Sequence, residues 1–211
     1  MANHVKTILR ITANRKEDLD LLLKKVVSSV DYILDINKRN NREILDVGYA
    51  VIPKMVGEVD FNILIPQPTS IFQGSVNHEI EEQHGGAENC WYKWREEHWG
   101  TCRNCYEDTV EWLSDNEVEI TMWTAWSEPI EWLNALAEYA FGGELGITDI
   151  EGEFANEDFG QQMGFFDTNA SWHEDKENED VLGWHYYDMD RDCYERVWGE
   201  GALEGTGYEL N

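Results

Sequence analysis

Few residues in this chain have the types and spacing that chemistry needs. Cys102-Arg-Asn-Cys105 is a CxxC, and Cys90, His98 or His84 nearby in sequence could complete a tetrahedral zinc site. A structural zinc site usually shows a second paired knuckle, and the remaining Cys193 stands alone. Two small, partly buried thiols on successive turns are the favoured reading. His78-Glu79 followed by His84 lacks the zincin spacing, because Glu82 stands where the second histidine belongs. Asp188-Met-Asp-Arg-Asp192 begins like an EF-hand loop, but Cys193 replaces the glycine at position six and Gly199 the glutamate at position twelve. Gly199-Glu-Gly201-Ala-Leu-Glu-Gly205 has neither the spacing nor the lysine of a phosphate loop. No nucleophile, base and orienting group share a local signature. The expectation is a protein that is not an enzyme and uses no cofactor or metal.

Charge is the stronger signal. The chain of 211 residues has 43 Asp plus Glu against 16 Lys plus Arg, a net charge of −27. The imbalance is local. Residues 1–54 are mildly basic, whereas no Lys or Arg occurs between Arg103 and Lys176. Such a field disfavours nucleic acid and anionic membranes and favours a basic partner. Carboxylates in and around the base-free stretch are the candidate contacts: Glu107, Asp108, Glu111, Asp115, Glu117, Glu119, Glu128, Glu131, Glu151, Glu153, Glu157 and Asp158. Trp123 is added because an exposed tryptophan beside carboxylates suits a cationic partner. A solvated acidic face is the bland alternative. The N-terminus has no apolar signal core, and no run reaches transmembrane length, so the cytoplasm is the expected compartment.

Several elements are needed to position these residues. Val5, Thr7, Leu9 and Ile11 alternate as in a strand. Asn14 offers a cap with Glu17 three residues on, and Leu19, Leu22, Leu23, Val26, Val27 and Val30 form a helical stripe. Residues 35–55 carry the basic cluster Lys38, Arg39 and Arg42. Val59–Ile65 reads as a second strand closed by Pro66 and Pro68. Residues 69–88 read as loop with a short helix, and 89–113 as helix interrupted near Gly100. Glu117–Thr124 is the cleanest strand. A helix follows Pro129 and stops at Gly142-Gly143. Leu145–Ile150 and Met163–Asn169 read as closing strands, and 173–211 as loops with one short helix or strand. The order strand, helix, strand, strand, helix, strand predicts an α+β, ferredoxin-like antiparallel sheet, with helices on one face and long insertions. One domain over 1–170 is expected, with insertions at about 35–56 and 69–115, and an acidic extension over 171–211 packed on it.

Three segments carry a family resemblance: Val59-Asp-Phe-Asn-Ile-Leu-Ile-Pro-Gln-Pro, Trp94-Arg-Glu-Glu-His-Trp-Gly-Thr and Thr124-Ala-Trp-Ser-Glu-Pro. With the Ala2-Asn3-His4 start, they resemble the YubB-like ferredoxin-like family of phage and plasmid proteins, over roughly residues 1–165. The resemblance implies a ferredoxin-like fold and a mobile-element origin, but no reaction. Cys102-Arg103 stands where the family has Lys-Trp, and His98 where it has Asn.

The leading expectation is a phage or plasmid counter-defence protein acting in the host cytoplasm. Its carboxylates would present themselves to a CRISPR effector, restriction enzyme or similar nucleic-acid-binding protein as DNA presents phosphates. The alternative is an interaction module that blocks or remodels a host complex through an aromatic patch. A zinc-dependent or small-ligand enzyme ranks third. The partner is expected to be a protein with a basic surface, not nucleic acid or membrane, and a homodimer stays open.

Overall fold

The computed structural model describes residues 3–28, 59–168, 181–204 and 206. The basic cluster at 38–42, Val30 and the whole of the 35–56 insertion lie outside the described residues.

Six strands form one antiparallel sheet in the order β2-β3-β1-β4-β5-β6. They are β1 (His4–Ala13), β2 (Tyr106–Ser114), β3 (Glu117–Ala125), β4 (Ile147–Asn156), β5 (Met163–Asp167) and β6 (Gly183–Tyr186). The helices are α1 (Lys16–Leu23), α2 (Phe61–Leu64), α3 (His78–Gln83), α4 (Trp91–Trp99), α5 (Ile130–Gly142) and α6 (Arg191–Trp198). The chain is therefore α+β. Strand β3 lies between β1 and β2, and β1 lies between β3 and β4.

Alternation along β1 and β3 sets the main core. Val5, Leu9 and Ile11 are fully buried, as are Val118, Ile120 and Met122 on the adjoining strand. Leu19 and Leu22 of α1 and Trp132, Leu133 and Leu136 of α5 pack into the same cluster. Phe61 lies against Trp132, with ring centroids 4.6 Å apart.

Several expectations change. Val59–Ile65 is not a strand. The Asp60 side chain accepts from Asn62 N at 3.0 Å and starts the single turn α2, so a local side-chain bond overrides the period-2 pattern. The helix expected over 89–113 ends at Trp99, because Gly100 adopts a left-handed conformation (φ 80°). Its second half is β2, paired along β3. Helix α1 begins after Arg15, with no side-chain cap from Asn14, and ends at Leu23; Val27 instead bridges Val59.

Strand β4 runs on to Asn156 through Gly152, whose missing side chain makes room for the Phe166 ring of β5. The 173–211 region supplies both β6 and α6. The helices do not all lie on one face. The α6 side chains Tyr194 and Val197 pack on Ala155 and Met163 in a second cluster. Ala155 alternates with Phe154 of the main core, which places α6 on the opposite face of the sheet.

Candidate functional site

On the face away from the main core, antiparallel register brings side chains into cross-strand rows. One row reads Glu111, Glu119, Arg10, Glu151 and Asp167 across β2, β3, β1, β4 and β5. At a strand spacing of ~4.8 Å it spans about 19 Å. Beside it on one side lie Glu117, Thr12 and Asp149. On the other side lie Thr121, Ile8, Glu153, Phe165 and His185. The next row carries Trp123, Lys6, Ala155 and Met163. Here α6 closes the face, with Trp198 against Trp123 at 5.1 Å and Lys6 Nζ 5.9 Å from the Trp198 ring. The face thus grades from an aromatic, helix-covered end to an open carboxylate end.

The row would repel itself without Arg10. Glu111 and Glu119 are direct cross-strand partners, an arrangement of like charges that costs stability. Arg10 Nε donates to Glu119 Oε2 at 2.9 Å, and this hydrogen bond holds the guanidinium above its ordinary pKa range. Arg196 of α6 donates to Glu153 in the same way and is likewise raised. Glu151 is exposed and forms no ion pair among the described residues. An open groove of about 510 Å³ runs over this region, lined by Ile8, Arg10, Glu151, Glu153, Phe165 and Arg196, among others.

The sequence-derived carboxylates divide by environment. Glu111, Glu117, Glu119, Glu151 and Glu153 share this face. Glu107 and Asp108 sit on the bulged edge strand β2, where Asp108 Oδ2 accepts from Val59 N at 2.6 Å. Asp115, at the β2–β3 turn, pairs with Lys16 at 3.5 Å. Glu157 accepts from His4 N at 3.0 Å, and Asp158 from Asn3 Nδ2 at 3.3 Å. Glu131 is exposed on α5.

Two candidates are corrected. Glu128 is 3% exposed and accepts from the Tyr186 hydroxyl at 2.9 Å, so it is not on the surface; burial raises its pKa. Trp123 is a half-buried member of a cluster with His4, Tyr106 and Trp198, not an exposed hot spot. Among the described residues the exposed tryptophans are Trp126, at 53% and φ 75°, and Trp112, at 38%.

The metal candidates do not converge. Cys105 Sγ donates to Val59 O at 3.1 Å and Cys90 Sγ to Gly86 O at 3.8 Å, while the His98 ring stacks on Trp94 at 4.2 Å. Cys102 is half-buried, and burial raises its pKa. Among the described residues, no three His, Cys, Asp or Glu gather as metal ligands. Asp190 caps α6 by accepting from Cys193 N at 2.7 Å. His84 stacks on Phe72, and Gly199 and Gly201 form turns after α6.

The three segments that carry the resemblance hold one another. Trp99 Nε1 donates to Ile65 O at 3.0 Å, and Arg95 Nη2 to Gln67 Oε1 at 2.9 Å. Thr101 Oγ1 donates to Ala125 O at 2.9 Å, and Ser127 Oγ to Gly100 O at 2.6 Å. The Arg95 guanidinium lies between the Trp91 and Trp99 rings, and burial lowers it to about 10. These motifs therefore secure the packing of α2, α4 and the β3–α5 turn. They lie apart from the carboxylate row, three of whose acids, Glu111, Glu119 and Glu151, are legible as candidates in the sequence, but whose alignment exists only once five strands are in register.

The fold and face define an α+β protein with a six-stranded antiparallel sheet and an acidic sheet face. No family model and no curated protein matches the sequence. Among solved structures the chain is similar to protein api92 from Yersinia pseudotuberculosis, of the DUF1281 family. The TM-score is 0.50 at 11% identity, over 88% of this chain and 98% of that one. At that identity the likeness concerns the fold alone. No helix among the described residues is long and apolar enough to cross a membrane.

Proposed function

We propose that this chain is a non-enzymatic binding protein that docks a basic protein surface on the open end of its sheet. The observation that carries this reading is the row Glu111, Glu119, Glu151 and Asp167, where one guanidinium stands among four carboxylates. In the mobile-element setting implied by the YubB-like resemblance, the partner is a host nucleic-acid-binding defence protein, such as a CRISPR effector or restriction enzyme. The site of action is then the host cytoplasm. The strand order β2-β3-β1-β4, with helices between β1 and β2 and between β3 and β4, supports a ferredoxin-like split βαβ reading of the central unit.

Magnitudes define the kind of mimicry. Duplex DNA over ~19 Å carries about 11 phosphates. Among the described residues the open end of the face presents Glu111, Glu117, Glu119, Asp149, Glu151, Glu153 and Asp167 against Arg10 and Arg196, a net charge of roughly half that density. It is a dilute surrogate, adequate to steer and hold a basic surface at low salt. The test is inhibition of DNA binding by a panel of purified effectors. Inhibition should fade as salt rises. A panel whose DNA binding is untouched at low salt contradicts the proposal.

A second reading rests on Trp126, which is exposed and held in a left-handed conformation beside the interlocked motifs. An aromatic-patch interaction would use this residue, not Trp123.

A further inference from the structure

Charge alone does not account for the groove at the centre of the face. Its walls are mixed. Ile8 and Phe165 flank Glu153 in one cross-strand row, and both are half-buried. The Phe165 ring is fixed by stacking on His185, with centroids 4.3 Å apart and planes 12° from parallel. Both resident arginines are already matched, Arg10 by Glu119 and Arg196 by Glu153 at 2.6 Å. Glu151, diagonal to Phe165 and beside Arg10 in register, is the exposed carboxylate on the groove rim without an ion pair among the described residues.

Resting on the binding reading above, the geometry points to an arginine side chain of the partner as the occupant of this groove. Its methylene stem lies along Ile8, its guanidinium plane meets the Phe165 ring, and its two-pronged edge meets Glu151. A volume of about 510 Å³ accommodates such a side chain with its backbone. Lysine fits less well. A guanidinium is planar, stacks on rings and bonds a carboxylate through two parallel N–H groups, whereas an ammonium is a compact, strongly hydrated charge. Arg10 and Arg196 are paired with Glu119 and Glu153, and Arg10 attracts Glu151 only at longer range, so the Glu151 oxygens stay open to a second guanidinium.

The test compares fluorescent decamers of arginine and of lysine, equal in charge, binding to the full chain at low salt. The wild type should prefer the arginine decamer about tenfold, the sum of a stacking and a forked contact. Glu151→Gln and Phe165→Leu should each lower the ratio to about threefold, and the double variant should bring it close to one while keeping the wild-type circular dichroism spectrum. A preference that survives both substitutions overturns the arginine groove and leaves the charged-face reading standing. Failure of both decamers to bind the wild type overturns the face reading itself.

Discussion

Arg10 on β1 lies in register between Glu119 and Glu151, yet its guanidinium bonds Glu119, with Nε to Oε2 at 2.9 Å. That choice neutralises the carboxylate that faces another carboxylate, Glu111, and leaves Glu151 to solvent. It also explains how one sheet face carries so many acids without forcing its strands apart.

Arg10→Met removes that compensation. Exposed ion pairs contribute ~0.2–1 kcal/mol, and the exposed Glu111–Glu119 repulsion is then unscreened. A loss of roughly 1 kcal/mol is expected by urea denaturation, most of it regained in high salt. Affinity for a basic partner should rise in the same variant, because the face becomes more negative. Stability and binding thus move in opposite directions.

Gly100 tests the interlocking of the motifs. Its φ is +80°, and a Cβ there would sit 2.6 Å from Ile130 N at the start of α5. Gly100→Ala should cost about 1–3 kcal/mol. Gly142→Ala, at the end of the same helix with nothing within 4 Å of a new Cβ, should lie within ~0.5 kcal/mol of wild type. Chemical denaturation of the two variants side by side measures the difference.

Glu128 gives the stability curve a pH signature. Burial raises its pKa in the folded protein, so at pH between the unfolded and folded values the folded state holds a proton that the unfolded state has released. Its contribution to stability is therefore greatest below the ordinary glutamate range and declines as pH rises through the raised folded value. Glu128→Gln should be no more stable than wild type at about pH 4 and should gain relative to it toward neutrality, by thermal or urea melts. A difference that is independent of pH contradicts the assignment.

Trp123 and Trp126 should behave oppositely. Trp123→Ala removes a ring shared by His4, Tyr106 and Trp198 and should cost roughly 2–3 kcal/mol. Trp126→Gly relieves a left-handed φ of 75° at an exposed site and should be neutral or slightly stabilising. If partner binding collapses in Trp126→Gly while stability holds, the aromatic-patch reading gains over the carboxylate face.

Much of this frame was legible from spacing. The alternation of Val5–Ile11 and of Val118–Met122 marked the two central strands, and Pro129 with Gly142-Gly143 bracketed α5. Val59–Ile65 misled because its period-2 pattern is equally served by a capped turn once Asp60 bonds its own neighbour. The helical reading of 89–113 failed beyond Gly100 because the pairing of β2 with β3 is non-local and outweighs local pattern. The site was only partly readable. An excess of acid is a property of composition, but its concentration on one face depends on register, and Glu128 is buried and bonded by Tyr186, a residue 58 positions away.

The most direct test of the central claim compares two triple substitutions of equal charge. Glu111→Gln, Glu117→Gln and Glu151→Gln neutralise the open sheet face. Glu131→Gln, Glu138→Gln and Glu144→Gln neutralise exposed positions on and after α5. Affinity for an effector that the chain inhibits is measured against salt for both, alongside wild type. The face triple should bind at least tenfold more weakly with a shallower salt slope, while the α5 triple stays close to wild type. Equal losses in both triples, or an affinity flat with salt, would contradict a docking role for the carboxylate row.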